Sequence, residues 1–267
     1  MPLAVCATPI GNLDDVTLRL LDELRSADVV LCEDTRHTRV LLDRHGISAR
    51  LLSYHEHNEA KRTSELLPRL VAGERLALVS DAGLPGINDP GARLVAAALD
   101  AGVPVTVLPG PSAVETALVA SGLVGERYQF VGYLPRGERA VAELAAELAG
   151  WAWPVVAFES PQRLPRTLAV LARVIPDRPA AVCRELTKRH EEVARGTVDE
   201  LAQCFTEPVR GEVTLVLDEA SPAAGDGGEA AAAVTELVQA GVPRRQAAEL
   251  VARLTGASRN ALYRSSL

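Results

Sequence analysis

Short, nearly continuous apolar runs, each followed by a helix-like pattern, restrict this chain to an α/β fold. The runs are LAVCAT (3–8), DVVLCE (28–33), RLLSY (50–54), residues 75–80 and PVTVL (104–108). A strand that is apolar on both sides has to be covered on both faces, as in a parallel sheet flanked by helices. Helices are expected from about Asp14 to Arg25 and over 91–101, the second stopping before Gly102 as a C-cap. These elements make a first α/β domain over 1–113. A second series, at 127–134, 155–159, 180–186 and 212–218, has helices at roughly 138–149 and 162–174 between its runs. It reads as a mixed α/β domain over 114–218.

At 267 residues and 48% hydrophobic, the chain has enough apolar surface for two cores. Residues 219–230 (EASPAAGDGGEA) are small, polar and rich in Gly, as expected of a linker. The tail, 231–267, is expected to be helical. Ala247, Leu250, Val251 and Leu254 fall at helical spacing, the pattern breaks at Gly256, and Ser258 is placed to cap a further helix. That arrangement fits a helix-turn-helix, and equally a helical hairpin packed on the body or on a partner subunit.

The formal net charge is −7, so a polyanion would be repelled on average and needs a local basic face. Residues 241–267 supply one, with five arginines against Glu249. No basic n-region precedes an apolar h-region, and no apolar run is long enough to span a bilayer, so a cytoplasmic protein is expected. Cys6, Cys32, Cys183 and Cys204 form no CxxC pair and match no zinc framework, so no metal site is expected. The first three lie in apolar runs and read as buried small hydrophobes.

Chemistry is expected where strands end. Three strand exits, ATPIGNLDD (7–15), SDAGLPGINDPG (80–91) and LPGPSAVE (108–115), are dense in Gly, Pro, Asp and Ser. Ligands of open parallel sheets bind outside the carboxyl ends of the strands, so these loops are expected to converge on one crevice. Neither GxxxxGK[ST] nor a GxGxxG after the first strand is present, which disfavours polyphosphate and dinucleotide sites. Acidic and backbone groups dominate the loops, including Asp81 and Asp89. They suit a ligand that is cationic or rich in hydroxyls and amino groups, and a sulfonium nucleoside with an amino-acid tail fits.

The motifs ATPIGNL (7–13), CEDTRHT (32–38), HEHNE (55–59), SDAGLPGINDPG (80–91), LPGPSA (108–113), FESPQR (158–163) and RELTKRHEE (184–192) occur in this order. Together they resemble the bacterial 16S ribosomal RNA cytidine-2′-O-methyltransferases, a branch of the tetrapyrrole methylase family, over almost the whole chain. The porphyrin-modifying branches look instead like GxGPGD in the first loop. The resemblance implies two α/β domains with S-adenosylmethionine in the cleft between them, a homodimer, and a cytidine ribose in the decoding centre of the small subunit as methyl acceptor. It also implies a cofactor pocket drawn from Pro9, from Asp81, Ala82, Gly83, Leu84 and Ile87, from Ser112 and Ala113, from Phe158, Glu159 and Ser160, and from Leu186, Val213 and Thr214. Two positions depart from the family pattern: Leu84 where Thr is common, and Gln162 where His is common.

A ribose hydroxyl is a poor nucleophile, and a positioned base adds roughly 10²–10⁴-fold. Glu33, Asp34, Asp81 and His55 or His57 are candidates. Asp34 is equally placed to cap the next helix, and Glu33 to pair with Arg36. Arg36, Arg39, Lys61, Arg62 and Arg136 are candidates for RNA phosphate contacts, against the alternative of solvated surface charge. Tyr54 and Tyr133 are candidates to stack on a base or to pack in the core. Two rival functions share these features: a methylase acting on a tetrapyrrole or other small molecule, and a nucleic acid-binding regulator using the basic tail.

Overall fold

The computed structural model describes residues 2–220, 227–255, 259, 262 and 263. The first half alternates strands and helices: β1 (Leu3–Cys6), α1 (Leu18–Ser26), β2 (Val29–Cys32), α2 (Thr35–Arg44), β3 (Leu51–Ser53), α3 (Glu59–Val71), β4 (Leu76–Val79), α4 (Ala92–Asp100) and β5 (Val105–Leu108). All five strands are parallel, in the order β3-β2-β4-β1-β5. Successive side chains of β1 serve opposite cores. Leu3 and Val5 pack in one cluster with Leu66 and Leu94, while Ala4 and Cys6 pack in the other with Leu20 and Leu42. The two-sided burial read from the apolar runs is therefore what the sheet requires.

The second half comprises α5 (Ala113–Ser121), β6 (Gln129–Tyr133), α6 (Glu138–Leu148), β7 (Val155–Glu159), α7 (Leu164–Ala172), β8 (Pro179–Arg184), β9 (Glu192–Thr197), α8 (Val198–Cys204) and β10 (Val213–Leu217). Its sheet runs β6-β7-β10-β8-β9, with β6 parallel to β7 and every other pairing antiparallel. Val155, Val182 and Leu215 face the core under α6, α7 and α8, whereas Val156, Ala181 and Val216 face α5. Ile10, from the loop after β1, inserts into this second cluster and ties the two halves together.

Two elements lie outside the sequence expectations. β9 is an edge strand of polar and half-exposed residues, held to β8 through backbone pairing and carrying no apolar run. α8 is a short helix defined by a capping box, in which Thr197 and Glu200 each bond the other's backbone N–H. Helix α1 starts at Leu18 and not near Asp14, because Thr17 accepts from Leu20 N at 3.1 Å while Asp14 pairs with Arg44 at 2.8 Å. The expected linker is shorter than 219–230. α9 (Gly227–Gln239) begins within it, and residues 221–226 lie outside the described residues.

α9 packs on α10 (Arg244–Thr255) through Val234, Ala247, Ala248 and Val251. The expected break at Gly256 and cap at Ser258 fall outside the described residues. No helix among the described residues is long and apolar enough to cross a membrane.

Cys6, Cys32 and Cys183 are buried and Cys204 is exposed. Burial pushes the Cys6 thiol up to about 12 and Cys183 to about 11, and raises Cys32 as well. A disulfide reagent at pH 8 should therefore label one thiol of the native chain, Cys204, and the other three roughly 100-fold more slowly unless the chain is unfolded.

Candidate active site

The strands that end in the three Gly- and Pro-rich loops are neighbours, β4-β1-β5, so all three loops leave the same edge of the sheet. Backbone contact welds them. Thr8 N donates to Gly83 O at 2.9 Å, Gly83 N donates to Thr8 O at 3.1 Å, and Ala7 N donates to Leu108 O at 3.1 Å. The Thr8 hydroxyl is buried and donates to Ser80 O at 3.1 Å. Gly83 takes φ +79°, a left-handed conformation that a side chain would disfavour. Gly91 has φ +141°, and a Cβ there would meet Leu78 Cδ2 at 2.8 Å.

Between these loops and the second sheet lies a cavity of about 560 Å³. Asp81 to Leu84 and Ile87 to Asp89 form one wall, and Ser112 to Glu115 another. Tyr128, Phe130, Tyr133, Phe158, Ser160, Leu186, Val213 and Thr214 close it from the second sheet. Every residue the resemblance implied for the cofactor lines this cavity except Pro9. The Thr8–Gly83 contact turns Pro9 into an adjoining pocket of about 120 Å³ beside His37 and Lys188. Glu159 lines the cavity as well. Its side chain is buried beneath α7, accepting from the Thr167 hydroxyl at 2.6 Å and pairing with Arg163.

Among the described residues, five acids line the cavity (Asp81, Asp89, Glu115, Glu159 and Glu212), and no Lys, Arg or His does. Glu212 is neutralised by Lys188 at 2.7 Å. Burial pushes Glu115 up, but hydrogen bonds from Ser112 and Tyr128 outweigh it and hold the carboxyl low. Asp81 accepts from Asp34 N at 3.2 Å and lies 3.6 Å from His37 Nδ1. Burial raises the Asp89 carboxyl to about 6; the Glu33 and Asp81 charges add to the rise, against a hydrogen bond from Ser80.

Of the base candidates, only Asp81 lines the cavity. Asp34 caps α2 by accepting from Arg36 N at 2.8 Å and also pairs with the Arg36 guanidinium, and these bonds hold it well below the usual carboxylate range. Arg36 thus pairs with Asp34 and not with Glu33. Glu33 follows β2 and is raised by burial, then by Asp81. His55 Nδ1 is buried without a hydrogen-bond partner among the described residues, and the ring stands edge-on to His57 at 5.9 Å.

Tyr54 is a core residue. It is buried, with its hydroxyl 3.1 Å from Thr63 Oγ1 and 3.2 Å from Glu59 Oε1, and cannot stack on a ligand. Tyr133 is 62% exposed at the cavity rim, edge-on to Phe158 at 5.5 Å, and remains available. Arg36, Arg39, Lys61 and Arg136 are exposed, while Arg62 is half-buried and bonds Glu65 at 2.7 Å. α2 and α3 start at the carboxyl ends of β2 and β3, so Arg36, Arg39, Lys61 and Arg62 lie on helices that leave the edge on which the cavity opens. Asn88, Asp89, Glu115, Tyr128, Phe130 and Glu212 line the cavity without having been singled out as site residues, although Asp89 was noted among the loop acids. Asn88 and Asp89 carried a visible signal inside SDAGLPGINDPG, as did Glu115 at the end of LPGPSAVE; Tyr128, Phe130 and Glu212 lie outside the motif loops.

Residues 2–202 match the tetrapyrrole (corrin/porphyrin) methylases. The chain belongs to the tetrapyrrole methylase family. Residues 224–267 match a C-terminal helix-turn-helix domain described as that of RsmI. A ribosomal RNA small subunit methyltransferase I of Micromonospora olivasterospora is 46% identical over 98% of this chain and 85% of its own length. A protein of the same description from Mesorhizobium japonicum is 43% identical over 99% of this chain and 91% of its own. Among solved tetrapyrrole methylase folds, a uroporphyrin-III C-methyl transferase from Thermus thermophilus complexed with S-adenyl homocysteine is 21% identical. It aligns with a TM-score of 0.58 over 82% of this chain and 98% of that one. The family match covers the first sheet, α5, β6–β9 and most of α8, so the chain is a methyltransferase, which the rival reading as a nucleic acid-binding regulator does not account for.

The Asp89 carboxyl should leave a signature in stability. Its folded pKa lies above the unfolded value, so its favourable contribution is full below about pH 4 and is lost as pH rises through about 6. Between pH 5 and pH 8 wild type should lose about 1 kcal/mol relative to Asp89→Asn, after allowing for solvent screening, as read by urea unfolding at both pH values.

Proposed function

We propose that this chain transfers a methyl group from S-adenosylmethionine to the ribose 2′-hydroxyl of a cytidine in the 16S RNA of the small ribosomal subunit. The observation that carries the reading is a cavity walled by carboxylates and aromatic rings with no basic side chain among the described residues. A sulfonium cation is favoured there and a polyphosphate is repelled. The near full-length likeness to small-subunit RNA methyltransferases supports the RNA acceptor over a tetrapyrrole.

In this reading Asp81 to Leu84, Ile87, Ser112, Ala113, Phe158 to Ser160, Leu186, Val213 and Thr214 hold the donor, with Pro9 supporting the loop from behind. Leu84 presents an apolar surface where the family pattern implied by the resemblance has Thr. Methyl transfer from sulfur is an in-line displacement that discharges the cation. The chain's main work is therefore to hold the acceptor oxygen in line, worth roughly 7–11 kcal/mol in favourable cases. Reaching a ribose hydroxyl requires an unstacked nucleotide, for which the exposed ring of Tyr133 offers a platform. Arg36, Arg39, Lys61, Arg62 and Arg136 position the RNA backbone, with the basic tail adding to that field. The two sheets act as domains spanning 1–113 and 114–218. The chain works in the cytoplasm, as a homodimer.

Incubating the chain and labelled S-adenosylmethionine with small subunits from cells lacking the gene should label 16S RNA. Alkaline hydrolysis should then release one resistant, cytidine-containing dinucleotide. Unlabelled subunits beside a labelled corrinoid would establish the small-molecule alternative.

A further inference from the structure

We propose that the Asp89 carboxylate is the catalytic base that takes the hydroxyl proton as the methyl group is transferred. This rests on the methyl-transfer reading above. Each other acid of the cavity is already engaged. Glu115 accepts from Ser112 and Tyr128, Glu159 from Thr167 and Ser160, and Glu212 holds Lys188. Asp81 accepts the Asp34 N–H and faces His37. Asp89 has no cationic partner among the described residues and lines the cavity opposite the second sheet.

The groups acting on Asp89 are Glu33 from the end of β2, Asp81 and Ser80 from the same loop, and across the cavity Tyr133, whose own hydroxyl senses the Asp89 charge. Only the Ser80 hydroxyl favours the carboxylate; the two acids disfavour it. A carboxyl brought to about 6 by burial between two like charges is a stronger base than a free aspartate and remains ionised at neutral pH. In the step, the acceptor oxygen forms its bond to the methyl carbon while the S–CH₃ bond breaks and its electron pair returns to sulfur. The hydroxyl proton passes to Asp89, which then releases it to water. No oxidant or further reactant is required.

The test compares wild type, Asp89→Asn and Glu33→Gln in single-turnover methylation of small subunits across pH 5–8, with calorimetry of S-adenosylhomocysteine binding. Asp89→Asn should bind S-adenosylhomocysteine within about threefold of wild type and transfer methyl 10²–10⁴-fold more slowly. The wild-type rate should rise with pH to a plateau through about 6, and that limb should be absent in Asp89→Asn. Glu33→Gln removes a like charge, so the same limb should move to lower pH, reading the base without altering it. Transfer by Asp89→Asn within tenfold of wild type, or a limb that Glu33→Gln does not move, overturns the assignment while leaving the RNA methyltransferase reading intact. Failure of wild type to label the subunits overturns both.

Discussion

Everything in the candidate active site depends on the backbone bridge between Thr8 and Gly83. It joins the exits of two parallel strands that are far apart in sequence, and the buried Thr8 hydroxyl completes it by satisfying Ser80 O. A loop held this way presents its side chains to the cavity with little freedom left to lose when a ligand arrives, which is how preorganisation raises affinity. The glycines serve that geometry. Gly83 supplies the left-handed turn, and Gly91 lets the loop return over Leu78 to start α4. Gly11 lets the first loop sit against the connection between β8 and β9, where a Cβ would overlap Lys188 and Thr187.

The second constraint is electrostatic. A net charge of −7 is an unpromising background for RNA binding. The proposed reaction sets two opposed electrostatic demands, a cationic donor and an RNA acceptor. Carboxylates line the cavity, where a cationic donor would benefit from them, and Arg36, Arg39 and Lys61 of α2 and α3 stand exposed on helices that leave the same edge. Within the cavity, acids are further divided by their partners. Ion pairs and hydrogen bonds hold Glu115, Glu159 and Glu212, whereas Asp89 is left among like charges. One residue type thus takes several roles according to its surroundings.

Much of this was legible before any coordinates. Apolar runs on a parallel sheet are buried on both faces and so announce themselves, and all five strands of the first sheet fall within the runs that marked them. β9 was not legible, because an edge strand is held by its backbone and has no need of an apolar face. Tyr54 and Tyr133 looked alike in sequence, yet one is sealed behind Thr63 and the other stands at the cavity rim. Asp34 and Asp89 both follow strands. The first is fixed by the arginine two residues on, a local matter, while the second depends on burial in the cavity wall and then on Glu33, distant in sequence.

By itself, then, the sequence determined the α/β class, the two-sided cores, the three strand exits and the type of ligand they suit. Those properties follow from local apolar periodicity and from the chemistry of consecutive residues. Only the tertiary structure decided that the exits belong to adjacent strands, that Pro9 lines an adjoining pocket and not the main cavity, and which carboxylates have no cationic partner among the described residues. Those depend on strand order and on contacts between residues distant in the chain, which no local pattern encodes.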